Sequence, residues 1–221
     1  MLRRRGPAGR SDGNGLHAAF YMDLYHGRSE DVPARRSRSP EEGMATNMIA
    51  MVELTRFPVE RRPVLTNLMQ LYLHDFSEFA AIGTPYGEVG ADGRFGYERL
   101  ESYWETEERM PLAIEADGRP AGFVLVNRWS ALDRPLDHAV AEFFVLRKYR
   151  RHGVGSRAAR RLFASFPGRW EVAVAAYNRP ALLFWRAAIR AATGREAAEV
   201  AGDGRRWTGT VFCFENEADT R

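Results

Sequence analysis

The sequence predicts a mixed α/β fold in which helices flank a central sheet. Three features support this prediction: amphipathic helical stripes, a strand pair joined by a tight turn, and a glycine-containing link between a strand and a helix. The elements follow the order helix, helix, three strands, helix, strand, helix and two closing strands, a pattern typical of sheets covered by helices. A length of 221 residues predicts one domain with an appended tail.

The N-terminal segment differs in composition from the rest of the chain. Residues 1–47 are rich in Arg, Gly, Ser and Pro, and only the run FYMDLY is apolar. Such a segment buries too little apolar surface to offset the entropy cost of ordering it. We therefore expect residues 1–47 to be a disordered extension or an over-long gene start, with a functional arm as the alternative, and residues 48–221 to form a single domain.

The first helix is predicted over residues 58–80, and a second, shorter one over residues 97–108. In the first, apolar side chains recur at spacings of three and four, so they form one stripe that faces a core. The members of this stripe are Leu65, Leu68, Tyr72, Phe76 and Phe79. A glycine-rich link over residues 82–96 joins the two helices.

Strands are predicted over residues 111–116, 121–128 and 138–146, where apolar residues dominate. The turn sequence DGRP at 117–120 separates the first two and predicts a hairpin.

The C-terminal part of the chain begins with a helix predicted over residues 156–166, where apolar side chains fall on one face and three arginines on the other. A strand over 170–176, a helix over 180–192 and two strands around residues 202–214 complete the fold.

Composition excludes several classes of protein. A net charge of +3 is too small to indicate nucleic-acid binding by itself. Cys213 is the only cysteine, which excludes disulfides within the chain and thiolate zinc sites and favours a reducing compartment. No apolar run approaches the roughly 18 to 20 residues that span a bilayer, and the basic N-terminus lacks the apolar segment of a signal peptide. We expect a soluble cytoplasmic protein, and the arginine-rich composition favours a bacterial source.

The segment RKYRRHGVGS, residues 147–156, joins a predicted strand to a predicted helix. A helix start presents unpaired N–H groups and a partial positive charge, and Gly153 and Gly155 let a phosphate approach the backbone. A Walker loop is excluded because no Lys follows Gly153. A dinucleotide loop, with Arg179 near an NADP phosphate, remains an alternative although it lacks the expected acidic residue about 20 positions on. A solvated basic turn is the other alternative.

Two motifs resemble those of the GNAT superfamily of acetyl-CoA-dependent N-acetyltransferases. They are Arg150-x-x-Gly153-x-Gly155, and Asn178-x-x-Ala181-x-x-Phe184-Trp185. The segments AEFFVLRKYRRHGVG and WEVAVAAYNRPALLFWR are similar to a subgroup of bacterial predicted acetyltransferases. The resemblance covers residues 58–214 and implies a mixed, mostly antiparallel sheet whose fourth and fifth strands splay apart.

The resemblance implies that acetyl-CoA is the co-substrate and assigns its contacts. Asn178 would bond the pantetheine, and Phe184, beside Trp185, would pack on it. Main-chain groups of the fourth strand would pair with the pantetheine; they belong to Phe143, Phe144 and Val145. The pyrophosphate would be bound by the loop residues Arg150, Arg151, His152, Gly153, Val154, Gly155 and Ser156. No metal is implied.

The implied reaction is direct acetyl transfer to an amine of an unidentified small molecule or protein. An amine with a pKa near 10.4 needs a base, and Glu142 and His138 are the candidates. Both have the same parity along an ideal strand, so we expect them on one face, opposite to Phe143 and Val145 unless a bulge intervenes.

The general acid is the point at which the chain departs from its relatives. Many family members have a tyrosine where this chain has Trp185, and an indole does not give up its proton near neutral pH. Tyr177 or water would then protonate the leaving thiolate. A sensor that binds acyl-CoA without turnover is the alternative function, and a nucleic-acid module is disfavoured because Tyr149 is the only aromatic residue in the basic stretch.

The expected partners are acetyl-CoA and an amine acceptor, with a homodimer possible and neither nucleic acid nor membrane expected. The acceptor pocket would be lined by the first two helices and the glycine-rich link. Its candidate residues are His74, Asp75, Glu78, Tyr86, Glu88 and Tyr103.

Overall fold

The computed structural model describes residues 49–82 and 87–217. The predicted extension, residues 1–47, lies outside the described residues. One seven-stranded sheet has the strand order β1-β2-β3-β4-β5-β7-β6. Its strands are β1 (Val52–Arg56), β2 (Met110–Ala116), β3 (Arg119–Asn127), β4 (His138–Val145), β5 (Gly168–Ala175), β6 (Ala198–Ala201) and β7 (Gly209–Asn216).

All neighbouring strands of this sheet are antiparallel except β4 and β5, which are parallel. The predicted mixed, mostly antiparallel sheet is confirmed. The sequence interpretation missed β1, although Val52 and Leu54 alternate with polar residues as a half-buried strand requires. Their partners, Ala116 and Ile114 of β2, supply the hydrogen-bonded edge that a five-residue strand needs.

Among the described residues, three α-helices flank the sheet: α1 (Arg62–Ser77), α2 (Val154–Ser165) and α3 (Arg179–Thr193). On one face, α2 and α3 pack over Val140, Trp170 and Phe212. On the other face, α1 packs its stripe over Phe123 and Phe144. The sheet therefore lies between two apolar cores, and its central strand β4 contributes side chains to both.

The predicted helix over residues 97–108 is wrong. Only a short 3₁₀ turn, Glu101–Trp104, forms there. Arg99 has a φ of 69°, in the left-handed region, which interrupts a helical run. The Trp104 indole donates to the Phe57 carbonyl at 3.0 Å, so contacts with the chain that leads into α1 also hold this segment.

Two irregularities of β4 shape the centre of the molecule. Leu125 of β3 is opposite Glu142, but the next residue of β3 is opposite Val140, so Ala141 is an extra residue that forms a β-bulge. On its other side, β4 pairs with β5 only through His138–Val140. Beyond these residues the two strands separate, as the splayed arrangement predicts.

Candidate active site

The separation of β4 and β5 opens a cavity of about 280 Å³. It is called here the coenzyme cleft because the resemblance described above predicts that acetyl-CoA lies between these strands. Residues 140–143 of β4 and 172–175 of β5 form its two sides. Tyr177, Asn178 and Trp185 line it at the start of α3, and the α1 side chain of Tyr72 lines it from the opposite face of the sheet. The cleft therefore passes between the two strands and reaches both layers of the fold.

The amino end of α2 has the geometry of an anion-binding site. Gly153 is its N-cap residue, with a φ of 73°, and no side chain of the described residues caps this end. The first helical bond runs from the Arg157 N–H to the Gly153 carbonyl at 3.0 Å. The preceding N–H groups, of Val154, Gly155 and Ser156, make no hydrogen bond with described residues, so they remain available to an anion.

The two glycines of this loop have different roles. A Cβ on Gly153 would meet nothing nearer than the Arg157 Nε at 4.0 Å, so this glycine supplies the left-handed conformation and leaves open space. A Cβ on Gly155 would lie 3.2 Å from the Phe184 ring. Gly155 therefore permits the close approach of α2 to α3.

Arg147 and Arg150 hold the loop in place. The Arg147 Nη2 lies 2.7 Å from the Asp75 Oδ1, and Arg150 donates both to Asp75 and, at 2.7 Å, to the Val145 carbonyl. Partial burial alone would raise the pKa of Asp75, but the hydrogen bonds from Arg150 and Arg147 lower it below its usual value. Arg150 thus joins the loop to α1 and β4, whereas Arg151 and His152 are exposed.

The pantetheine residues assigned from the second motif lie together on one side of the cleft. The Asn178 Oδ1 accepts from the Ala181 N–H at 3.1 Å and caps α3, and its amide NH₂ has no partner among the described residues. The Phe143 ring centroid lies 5.6 Å from that of Phe184 and 4.9 Å from that of Trp185. Only 5% of Trp185 is exposed, and its packing on Phe143 forms the floor of the cleft.

Phe144 and Val145 have other surroundings. The Phe144 side chain packs in the α1 layer, with ring centroids 5.8 Å from Tyr72 and 5.6 Å from Phe123. The Val145 carbonyl already accepts from Arg150.

Glu142 lines the cleft from the face of the sheet that α1 covers. Its carboxyl accepts hydrogen bonds from the Tyr72 hydroxyl and, at 3.1 Å, from the Tyr97 hydroxyl. Burial raises the pKa of Glu142 to about 7, and the two hydroxyl donors limit this rise because they stabilise the ionised form. A carboxyl group that changes protonation near neutral pH is suited to accepting a proton from a substrate.

His138 lies away from Glu142. Its ring centroid is 4.7 Å from that of Trp170 and 5.9 Å from that of Phe166, on the face covered by α2. Burial lowers the pKa of His138 below its usual value. The prediction that His138 and Glu142 share one face is wrong, because the bulge at Ala141 changes the alternation between them.

Tyr177 lines the coenzyme cleft, and its ring centroid lies 5.0 Å from that of Phe79. Burial raises the pKa of Tyr177 well above its ordinary value, and the negative charge of Glu142 raises it further. The hydroxyl therefore stays protonated throughout the neutral range and can donate a hydrogen bond within the cleft.

A second cavity of about 90 Å³, called here the inner pocket, begins at Glu142. Tyr97 and Trp207 lie in the walls of both cavities. The sequence interpretation gave these two residues no role and placed Tyr72 in an apolar stripe, because their meeting with Glu142 depends on tertiary packing. The alternation of residues along β4 does not predict which residues of other segments contact Glu142.

The acceptor candidates divide between the cavities and the surface. Tyr103 lines the inner pocket, and Glu88 lines the coenzyme cleft. His74 on α1 and Glu78, directly after it, are exposed. Asp75 is occupied by its two arginines, and Tyr86 lies outside the described residues.

Within residues 49–82 and 87–217, no group of three His, Cys, Asp or Glu side chains could hold a metal ion. In the same part of the chain, no helix has the length and apolarity needed to cross a bilayer.

Comparison with known proteins identifies one family. A model of the acetyltransferase (GNAT) family matches residues 66–188, more than half of the 221-residue chain. No curated protein matches the sequence.

Solved structures share the fold at low sequence identity. An acetyltransferase from Thermus thermophilus is 15% identical with a TM-score of 0.54, covering 76% of this chain and 99% of its own. The ribosomal L7/L12 α-N-protein acetyltransferase RimL, solved with coenzyme A, is 10% identical with a TM-score of 0.53, covering 78% and 98%. The PaiA N-acetyltransferase from Thermoplasma acidophilum, also solved with coenzyme A, is 12% identical with a TM-score of 0.50, covering 75% and 99%.

Proposed function

Because the chain belongs to the acetyltransferase (GNAT) family, we propose that it transfers the acetyl group of acetyl-CoA directly to an amine. One observation supports this proposal most strongly: the cleft between β4 and β5 holds Glu142, a carboxyl group with a pKa of about 7. Glu142 removes a proton from the acceptor ammonium, and the amine nitrogen attacks the thioester carbon. The C–S bond then breaks, the thiolate of coenzyme A leaves, and the attacking nitrogen releases its second proton to water as the amide forms.

In this proposal the amino end of α2 binds the pyrophosphate of acetyl-CoA. The N–H groups of Val154, Gly155 and Ser156 supply aligned donors, and the exposed Arg151 adds positive charge. The pantetheine lies in the gap between β4 and β5, where it takes the place of strand pairing. The Asn178 amide NH₂ is placed to donate to it.

Two contributions to catalysis follow from this arrangement. Holding the thioester and the amine together contributes at best about 7 to 11 kcal/mol to the lowering of the barrier. Deprotonating an amine of pKa near 10.4 at neutral pH costs roughly 4 kcal/mol, and a positioned base such as Glu142 contributes about 10² to 10⁴ in rate.

The leaving thiolate takes its proton from Tyr177 or from water. Tyr177 is protonated at neutral pH and lines the same cleft as Glu142. The Trp185 indole N–H assists by donating a hydrogen bond, since it retains its proton.

Coenzyme binding is tested with two substitutions at one position, Gly153→Asp and Gly153→Asn. Both side chains tolerate the left-handed φ of 73° found there, and the site is open, so the variants differ mainly in charge. Isothermal titration with coenzyme A should give an affinity about 10- to 100-fold lower for Gly153→Asp than for Gly153→Asn, because the carboxylate repels the pyrophosphate. Equal affinities would place the pyrophosphate elsewhere, and no binding to the native protein would overturn the proposed function.

Measuring turnover distinguishes an acetyltransferase from an acyl-CoA sensor. The sensor is the alternative because Trp185 occupies the position of the tyrosine found in many family members. Thiol release from acetyl-CoA is measured across a panel of amines and compared with release in their absence. Amine-dependent release supports the transferase, whereas coenzyme binding without release from any amine supports the sensor.

A further inference from the structure

A small hairpin over residues 89–95 contributes to the wall of the coenzyme cleft. Val89 and Phe95 pair as antiparallel partners at its base. The chain on either side of this pair, at residues 87–88 and 95–97, lines the cleft. The position of the hairpin therefore affects the shape of the cleft and the placement of the residues that follow it.

Gln70 of α1 binds this hairpin through the main chain of one residue. The Gln70 Oε1 accepts from the Phe95 N–H at 2.8 Å, and the Gln70 Nε2 donates to the Phe95 carbonyl at 3.0 Å. A side-chain amide can donate and accept at once, so Gln70 pairs with Phe95 as a residue of a neighbouring strand would. Both hydrogen bonds are partly buried, which limits competition from water.

A single glycine separates this paired residue from Tyr97, which donates to Glu142. Gly96 is exposed, and a Cβ placed on it would meet no described atom within 4 Å, so side-chain packing does not hold the chain at this residue. On the other side of Tyr97, Leu100 is buried in the core under α1. Tyr97 is thus suspended between the Gln70 pairing and a core contact three residues later.

The hydrogen bond that depends on this arrangement is sensitive to small displacements. The Tyr97 hydroxyl lies 3.1 Å from the Glu142 Oε1, at the long end of the range for O–H···O bonds. The second donor to Glu142, the Tyr72 hydroxyl, belongs to α1 itself. The helix therefore supplies one donor directly and holds the other through Gln70, two residues earlier.

Other titratable or charged groups surround Glu142 in the walls of the two cavities. They are Glu88, Glu98, Arg99, Tyr103, Arg109, Glu171 and Tyr177. Exchanging the neutral Gln70 for another neutral side chain leaves all of these groups in the protein and adds no charge.

We propose that Gln70 is a positioning residue for proton transfer at Glu142. Its pairing with Phe95 keeps the Tyr97 hydroxyl on one carboxylate oxygen while Tyr72 occupies the other. Gln70 lines neither cavity, so it acts through Tyr97 rather than on a substrate. The inference rests on the proposed function, in which Glu142 is the base.

The test removes both hydrogen bonds of Gln70 without changing its size, in Gln70→Met. The ionised Glu142 carboxylate then loses the Tyr97 donor, so its pKa should rise by about 0.5 to 1 unit. NMR titration of protein labelled with carbon-13 at the glutamate carboxyls measures this pKa, and Glu142→Gln assigns the signal. The acidic limb of kcat/KM against pH should move upward by the same amount.

Two comparisons distinguish positioning from a general effect on the fold. Asn67→Leu removes an exposed amide of the same helix and should leave the pKa of Glu142 unchanged. In a Tyr97→Phe background, Gln70→Met should add less than about 0.2 unit, because the hydroxyl it positions is already absent. In a Tyr72→Phe background the full shift should remain.

Thermal unfolding establishes that each variant is folded. Gln70→Ala, which admits water to the Phe95 main chain, replaces Gln70→Met if the latter does not fold. An unchanged pKa, or a shift that persists in the Tyr97→Phe background, overturns the positioning role and leaves the proposed transfer intact. Absence of thiol release from every amine overturns the proposed function, whereas the NMR titration still decides whether Gln70 positions Tyr97.

Discussion

Two carboxylates of the central strands, Glu142 of β4 and Glu171 of β5, line the inner pocket from opposite sides. Glu171 is 2% exposed and receives hydrogen bonds from the Ser130 hydroxyl at 3.1 Å, the Ala131 N–H at 2.8 Å and the Arg134 Nε at 2.8 Å. Glu142 receives only the hydroxyls of Tyr72 and Tyr97, and it forms no ion pair with described residues.

The difference shows what makes a buried carboxylate structural or reactive. A guanidinium and a main-chain N–H hold Glu171, which orders the loop that follows β3. Neutral hydroxyls hold Glu142 without compensating its burial, so its pKa rises to about 7. One carboxylate is an anchor, and the other is a group that exchanges protons near neutral pH.

The largest expected effect is that of Glu142→Gln. The amide keeps the size of the side chain but accepts no proton from the acceptor, so kcat for thiol release should fall by about 10² to 10⁴. Titration should give a native affinity for coenzyme A, because the amino end of α2 is unchanged. A kcat within threefold of the native value would remove Glu142 from catalysis.

The second prediction concerns stability as a function of pH. The pKa of Glu142 rises from 4.5 to about 7 on folding, so the contribution of this group is present at low pH and is lost as pH rises from 4.5 to 7. The loss is roughly 3 kcal/mol. Urea unfolding across this range should therefore show Glu142→Gln gaining stability relative to the native protein as pH rises, and a constant difference would contradict the raised pKa.

Glu171→Ala should destabilise the fold without acting on the proton transfer itself. It leaves the Ala131 N–H, the Ser130 hydroxyl and Arg134 without their shared acceptor, which should lower the free energy of unfolding by about 2 to 3 kcal/mol. Glu199→Ala, which removes the exposed pair with Arg186, is the control and should cost about 1 kcal/mol or less. Equal losses in the two variants would mean that Glu171 is no anchor.

The smallest expected effect is a shift in the pH profile of Tyr72→Phe. Removing this donor raises the pKa of Glu142 further, because the ionised carboxylate loses a hydrogen bond. The acidic limb of kcat/KM against pH should move upward by about one unit, equivalent to about 1.4 kcal/mol. Tyr97→Phe should move it in the same direction, and a downward movement in either variant would contradict the role of the hydroxyls.

The side of the fold on which we propose that the coenzyme binds was predictable because its signals are local. Gly153, Asn178 and the apolar faces of α2 and α3 occupy fixed positions relative to helix starts, so spacing alone places them. The short β1 was missed even though Val52 and Leu54 alternate, and the segment from 97 was predicted as a helix because its left-handed Arg99 has no sequence signature.

The surroundings of Glu142 were less predictable because they depend on contacts between distant segments. Glu142 was identified as a candidate base, but its partners Tyr72 and Tyr97 lie 70 and 45 residues away along the chain. The helical periodicity predicted that Tyr72 lies in the core, and its ring is buried there. The periodicity does not predict which group its hydroxyl contacts. His138 was grouped with Glu142 since an ideal strand contains no extra residue.

The extra residue Ala141 shifts the alternation of side chains along β4 by one residue, so that Ala141 and Glu142 both lie on the face covered by α1. If β4 kept all of its residues but alternated strictly from His138, Glu142 would face the layer of α2 and α3 and the Phe143 ring would lie on the side of Tyr72. The same amino acids in the same order, arranged as a regular strand, would then present a phenyl group where the Glu142 carboxyl now lies. In this fold the position of the Glu142 carboxyl depends on the pairing of β4 as much as on the identity of its residues.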